Sequence, residues 1–128
     1  MPITANVNYT NVPELVIGDG VQTENVKPTT ATAYKRGDLL IVSNTNVATH
    51  SSTGADWHVV CATDVTAAQA TAMAAAGQEM TVYTQGELSI HAVTINGVTL
   101  STAQKDAARA HANQVTAIEL RKVVGETY

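Results

Sequence analysis

An Asn-Gly pair near the C-terminal end of the chain constrains its fold more than any other feature. Asn96 and Gly97 lie between the apolar residues Ile95 and Val98. Both central residues of a type I′ turn need positive φ angles, so this pair predicts a β-hairpin. The segment that leads into the turn, Glu87 to Ile95, is rich in β-branched residues and is expected to be a strand.

Two further strands are predicted beside this hairpin. Apolar residues occupy every second position from Met80 to Thr84, until Gln85 and Gly86 interrupt the alternation. From Thr116 to Val124, apolar and charged residues alternate in a way that is typical of a strand with one buried face. Nearer the N-terminus, two apolar strands, a turn before them and a polar loop between them are expected: Leu39 to Val42, Trp57 to Ala62, Tyr34 to Asp38, and Ser43 to Ala55.

Two capping boxes predict short helices. In one of them, the Ser101 hydroxyl can accept the backbone N–H of Gln104, while the Gln104 side chain returns to the backbone of Ser101. The helix that follows is expected to run from Thr102 to about Asn113. One face of it consists of alanines that let it lie close to a sheet or to a neighbouring chain: Ala103, Ala107 and Ala110.

The other capping box, Thr66 to Gln69, begins an alanine-rich segment from Val65 to Ala76 that Gly77 can end. This pattern predicts a short helix, and a loop without secondary structure is the alternative. The chain is therefore predicted to be mainly β with one or two short α-helices. Its 128 residues are most simply one domain.

The first 33 residues differ from the rest. Ile3, Ala5, Val7 and Tyr9 alternate with uncharged polar residues, which is the period-two pattern of a strand. Residues 21–33 are polar and rich in threonine, and we expect them to be extended. We interpret residues 1–33 as an extended N-terminal arm and residues 34–128 as a single β-rich domain. The alternative is that the arm is an ordinary first strand of the core sheet.

Composition excludes several classes of function. Charged residues make up 14% of the chain, below the usual quarter, which suits a protein that buries much of its surface against partners. The formal net charge is −4 and basic residues do not cluster, so nucleic-acid binding is not expected. No apolar run predicts a membrane span or a signal peptide. The single cysteine, Cys61, excludes an intrachain disulfide and fits synthesis in a reducing compartment.

Four residues in the middle of the chain raise the alternative of a metal-dependent enzyme or binder: His50, His58, Cys61 and Asp64. Their spacing matches no zinc pattern, since there is no pair of cysteines and no His pair at i and i+4 with a Glu. On a strand, His58 and Cys61 would also point to opposite faces. We therefore expect no catalytic residue, no metal site and no cofactor.

Trp57 and His111 are candidates for contact between subunits, together with the alanine face. Trp57 follows a polar loop, where it would be either a core plug at the end of a sheet or an intersubunit anchor. His111 lies one residue beyond the alanine face of its helix. It is expected at an interface or on the surface, because a lone histidine without a positioned partner is a weak sign of acid–base catalysis.

Several segments, together with the order in which they follow one another along the chain, resemble those of a known family. The most specific are VYTQG, from Val82 to Gly86, and TAI, from Thr116 to Ile118. Others match in pattern: KRGDL from Lys35 to Leu39, VVCATDVT from Val59 to Thr66, and the short helix from Ser101 to Asn113. Over residues 34–123 the chain resembles the head decoration proteins of tailed phages, the lambda-type family of capsid-stabilising D proteins. It departs from the simplest members in the longer segment 65–76 and in an extended hairpin.

This resemblance implies a fold and a role. Family members are small β-rich, β-tulip-like domains that form homotrimers over threefold and quasi-threefold sites of the expanded head and stabilise the shell. The resemblance implies a structural protein, not an enzyme, that is made in the host cytoplasm and lies on the outer surface of the virion. Its arm would add a strand to the major capsid protein through Ile3, Ala5, Val7, Tyr9 and Val12. Another trimeric virion component, of the tail, fibre or head–tail connection, is the alternative.

Overall fold

The computed structural model describes residues 14–122, and within that range the chain forms eight strands and two helices. The strands are β1 (Gln22–Pro28), β2 (Leu39–Val42), β3 (Val47–His50), β4 (Val59–Cys61), β5 (Met80–Ser89), β6 (Thr94–Ile95), β7 (Val98–Thr99) and β8 (Ala117–Arg121). The helices are α1 (Ala67–Ala76) and α2 (Thr102–Val115). The prediction of a mainly β fold with one or two helices is confirmed.

Five of the strands close into a small barrel in the order β1, β3, β2, β4, β5, because β5 pairs again with β1. β5 is the strand that holds the molecule together. Its first half lies between β1 and β4, and its second half pairs in parallel with β8. Residues before β1 continue along β5, where the Ser89 N–H donates to the Leu15 carbonyl at 2.8 Å and the Ile17 N–H to the Glu87 carbonyl at 3.1 Å.

Two hydrophobic cores lie on opposite faces of the shared strands. One receives side chains from all five barrel strands and from α1: Val26, Tyr34, Leu40, Ala48, Val59, Cys61, Val65, Ala70, Met80 and Val82. The other lies between α2 and the strands: Leu15, Leu39, Trp57, Val60, Leu88, Ile90, Val93, Leu100, Ala108, Ala112, Ile118 and Leu120. Leu39 and Leu40 therefore point into different cores, as alternation along a strand requires. Burial on both faces explains why β2 and β4 are continuous apolar runs.

The predicted turn and caps are present. In the hairpin formed by β6 and β7, Ile95 pairs with Val98, and Asn96 and Gly97 have φ angles of 50° and 79°. Both capping boxes form, at Thr66 for α1 and at Ser101 for α2. Gly77 ends α1 in the left-handed conformation, as predicted. The segment 65–76 is thus a helix and not a loop.

The predicted polar loop from Ser43 to Ala55 is wrong in its centre, where β3 forms. β3 pairs with β2 in an antiparallel hairpin and with the end of β1 in parallel, and its Ala48 is fully buried. β3 has only four residues, in which the apolar Val47 and Ala48 are adjacent and the polar Thr49 and His50 follow, so it does not show the apolar alternation that marks a strand. The strand predicted from Trp57 to Ala62 is also shorter, since it covers only β4.

Gln85 and Gly86 do not interrupt β5, contrary to the prediction. Gly86 has a φ of 129°, and a Cβ there would lie 2.5 Å from the Cγ1 atom of Val21. The glycine thus lets the chain before β1 approach β5 closely instead of breaking the strand. The strand expected from Glu87 to Ile95 is divided, because β5 ends at Ser89 and β6 begins only at Thr94.

Residues 14–33 belong to the folded domain and do not form an arm outside it, so the predicted boundary at residue 33 is too late. β1 pairs with five residues of β5, and its Val26 is only 3% exposed. Most residues of β1 are polar, and its buried positions are Val26 and Pro28. The composition of this segment therefore does not suggest a strand of the core sheet. Residues 1–13 lie outside the described residues, together with the proposed contacts of the arm: Ile3, Ala5, Val7, Tyr9 and Val12.

Candidate functional site

The chain enters the domain from its N-terminal side beside the second half of β5. Leu15 is buried under α2, and Val16 forms an antiparallel bridge with Leu88. A Cβ on the next residue but one, Gly18, would lie 2.6 Å from the Glu87 carboxylate, so the backbone passes very close to β5. Arg121 of β8 donates to the same carboxylate. The described part of the chain thus begins beside β5, next to the ion pair that joins β5 to β8.

The alanine face predicted on α2 is not the face that packs on the sheet. The buried residues of α2 are Lys105, Ala108 and Ala112, and this stripe faces the core that contains β8. Ala103 and Ala110 are exposed, and Ala107 is half-buried. Alanines lie on several sides of α2, so their spacing alone does not identify the buried stripe. Lys105 carries a charge and looks like a surface residue in the sequence, although its long apolar stem lies in the buried stripe. Contact of Ala103 and Ala110 with another subunit stays a prediction.

Trp57 is a core plug and not an intersubunit anchor, because it is 0% exposed within the single chain. His111 on α2 lies against it, with ring centroids 5.5 Å apart. The Nε2 atom of His111 is 2.6 Å from the Trp57 carbonyl oxygen, which ties α2 to the strand segment before β4. His111 is half-buried, and it makes these contacts with Trp57 inside the domain, whereas the sequence predicted it at a subunit interface or on the surface.

Asp38 is the most connected polar side chain in the interior, and the sequence did not single it out. It is 1% exposed and accepts hydrogen bonds from the backbone N–H groups of Lys35 and Gly97, each at 2.8 Å, and from the Thr94 hydroxyl. His50 Nδ1 lies 3.7 Å from Oδ2 of Asp38, the oxygen that also accepts the Lys35 N–H. One carboxylate thus joins the turn before β2, the β6–β7 hairpin and β3. The available signal was an acidic residue directly before an apolar strand, which is too common to identify a hub.

His50, His58 and Asp64 have separate structural partners. His50 Nε2 lies 2.8 Å from the Ala33 carbonyl, and His58 Nδ1 accepts the Val42 N–H at 3.0 Å. Asp64 accepts the N–H of Arg36 at 2.8 Å. In residues 14–122 no three His, Cys, Asp or Glu side chains are placed to hold a metal ion.

Cys61 points into the barrel and is 0% exposed. Its Sγ atom is 2.9 Å from the Thr63 carbonyl oxygen. Burial raises the pKa of this thiol to about 11, and the negative charges of Asp38 and Asp64 act in the same direction. The thiol therefore stays protonated at neutral pH, and only the thiolate is an effective nucleophile or metal ligand.

The loop between β3 and β4 is held by a second carboxylate. Asp56 accepts hydrogen bonds from the hydroxyls of Ser51 and Ser52. Burial raises the pKa of Asp56, but these hydrogen bonds outweigh it and the net shift is downward. The bonds place Gly54 against α2, where a Cβ would lie 3.2 Å from the Gln104 carbonyl oxygen. These contacts serve the packing of the loop on the helix.

The outer surface of α1 is unusually neutral. No charged residue lies between Val65 and Gln78, and of α1 itself only Ala70 is fully buried. A surface cavity of about 410 Å³ lies beside the helix, lined by Met73, Met80 and eight other residues. Elsewhere, Val98 on the hairpin and Val115 at the end of α2 are 66% and 64% exposed. Neutral or apolar side chains are thus exposed along α1 and at the two valines, whereas the lining of the cavity also includes Asp64 and Glu79.

Neither helix within residues 14–122 has the length and apolar character of a membrane-spanning helix. In comparisons with known proteins, the chain matches no protein-family model and no curated protein.

Proposed function

We propose that this protein is a capsid decoration protein of a tailed phage, which binds as a trimer to the outside of the expanded head and stabilises the shell. The proposal rests first on how the N-terminal segment is attached. Leu15 and Ile17 form backbone hydrogen bonds with β5 on either side of an isolated Val16–Leu88 bridge, and the uncharged alternation from Ile3 to Tyr9 lies upstream of this contact in the sequence. Such a segment is suited to add a strand to the sheet edge of another protein.

The places of the family-like segments in the fold support the same proposal. The VYTQG motif lies in β5, the strand shared by the barrel and β8, and the TAI motif leads into β8. The two motifs meet where Gln85 and Gly86 pair with Ala117 and Ile118, at the start of the parallel β5–β8 pair. The N-terminal contacts lie on the residues of β5 that follow, from Glu87 to Ser89.

In this mechanism each backbone hydrogen bond of an added strand contributes a net ~0.5–1.5 kcal/mol. Three copies in one assembly would bring three N-terminal strands to adjoining capsid subunits. Once one strand is bound, the others bind at high effective concentration. A ligand that binds only the expanded shell stabilises that state by mass action. The proposed activity therefore requires no covalent chemistry.

Two matched arm variants test the proposal with expanded heads of the parent virus that lack this protein. Replacement of Ile3, Val7 and Tyr9 by serine removes the apolar side of the strand, whereas replacement of Thr4, Asn6 and Asn8 by serine keeps it. We expect the first variant to lose co-sedimentation with heads and the second to keep it, since side chains on one face fill the pockets of the acceptor.

Deletion of residues 1–11 is expected to abolish head binding while the domain stays folded. Normal binding by the deleted protein would contradict the arm mechanism. Electron microscopy of particles adds an independent check, because density of this chain on the tail instead of the shell would favour another virion assembly component.

A further inference from the structure

β8 is an outer edge of the main sheet among the described residues, since it pairs only with β5. In this parallel pair the Ile90 N–H donates to the Arg121 carbonyl at 3.0 Å. Backbone groups alternate in direction along a strand, so Arg121 and Glu119 face β5. The N–H and carbonyl groups of Ile118 and Leu120 therefore face outward. Exposed groups of this kind are a template for a strand from another chain.

Side chains of the same domain already bind most of these outward groups. The Thr116 hydroxyl oxygen accepts the Ile118 N–H at 3.1 Å, and its single proton is shared between the carbonyl oxygens of Ala112 and Ile118, at 3.0 and 3.1 Å. The guanidinium Nε of Arg109, on α2, donates to the Leu120 carbonyl at 3.2 Å. Within the described residues, side chains thus contact the N–H and carbonyl of Ile118 and the carbonyl of Leu120, and the Leu120 N–H is the one outward group without a side-chain acceptor. An incoming strand would have to displace these bonds before it could pair.

We propose that Thr116 and Arg109 close the β8 edge to strand addition, and in particular to the N-terminal strand of a second copy. This inference rests on the proposed function, in which residues 3–9 form an uncharged strand that seeks a sheet edge. Each copy would then carry both a donor strand and an acceptor edge. Such head-to-tail pairing produces open chains when the rotation does not close. With the β8 edge closed, the N-terminal strand can add only to a sheet edge of a different protein.

Substitutions that remove the two side-chain bonds test this directly. Thr116→Val keeps the shape of the side chain without its hydroxyl, and Thr116→Ser is the matched control that keeps the hydroxyl. Arg109→Met keeps the apolar stem and removes the donor. We expect the purified double variant Thr116→Val/Arg109→Met to form species heavier than the wild type as its concentration rises, measured by sedimentation equilibrium. Thr116→Ser is expected to match the wild type.

A third preparation identifies the donor, because deletion of residues 1–11 in the double variant is expected to restore the wild-type mass. A folded double variant with the wild-type mass at all concentrations would overturn the proposal, as would association that persists after the deletion. If Thr116→Val unfolds the domain, Arg109→Met alone is measured in the same way and judged by the same two outcomes. These measurements need no viral heads, so their failure is distinct from loss of head binding by the wild type.

Discussion

Cys61 shows how the position of one residue determines its chemistry. Its thiol lies inside the barrel with a pKa of about 11, against 9.0 for the unperturbed group. At pH 8 roughly one thiol in a thousand is then ionised in the folded chain, against about one in ten when the chain is unfolded. We expect iodoacetamide to leave Cys61 unmodified in the native protein and to alkylate it in denaturant, as measured by mass spectrometry.

The same shift has a consequence for stability. Because the folded state holds the thiol proton more tightly, the contribution of this group is fully present below pH 9 and is lost as the pH rises towards 11. Cys61→Ala should remove that part of the alkaline loss of stability. Rapid labelling of the native protein at pH 8 would contradict the buried position.

Residue roles were only partly predictable from the sequence. The burial of Cys61 agrees with the usual behaviour of a lone cysteine without a metal-binding pattern, which is that of a small apolar residue. The two roles considered for Trp57 could not be separated, since a tryptophan after a polar loop suits a core and an interface equally well. The contact that decides between them comes from His111, which is 54 positions away in the chain.

At the scale of elements, the Asp38 carboxylate links the turn before β2 to the β6–β7 hairpin, two segments that are not neighbouring strands of one sheet. Asp38→Ala would leave the N–H groups of Lys35 and Gly97 without their acceptor in a partly buried site. We expect a loss of unfolding free energy of roughly 1–3 kcal/mol, because an unsatisfied buried group costs about 1–3 kcal/mol and these two groups are only partly buried. Urea unfolding followed by circular dichroism measures this loss.

Asp19→Ala is the control for that substitution, since Asp19 is exposed in a turn. It is expected to change stability by no more than about 0.5 kcal/mol. A similar small change for Asp38→Ala would show that the hairpin is held by other contacts.

Elements with local signals were predictable, and those that depend on distant partners were not. The capping boxes and the Asn96–Gly97 turn are complete within a few residues, so their chemistry is visible in the sequence. β3 is a strand only because β2 and β1 lie on either side of it. Likewise, Gly86 looks like a strand break until the approach of Val21 explains it.

For the whole molecule, the proposed trimer makes a direct prediction about mass in solution. We expect sedimentation equilibrium to give three times the chain mass, because a weakly charged surface with exposed Val98, Val115 and α1 suits burial between copies. Deletion of residues 1–11 is expected to leave this ratio unchanged. A monomer at micromolar concentration would contradict the proposed assembly.

The barrel itself could not be derived from the sequence, although its β content could. Closure depends on the pairing of β1 with β5, and the register of two distant strands is not encoded in the alternation of either one. The candidate N-terminal strand was found from alternation alone. The contact of Leu15 and Ile17 with β5, further along the chain, required the three-dimensional structure.

The pairing of β1 with β5 also determines the order of events as the chain leaves the ribosome. Val26 meets Met80, and Gln22 meets Gln85, so β1 emerges more than fifty residues before its principal partner. Contacts of such long sequence separation form late and slow the folding of β proteins. Nascent chains that end before residue 80 should therefore hold β1 only through its contacts with β3 and α1, without the β5 ladder, and full protease protection of β1 should appear only once β5 has been synthesised.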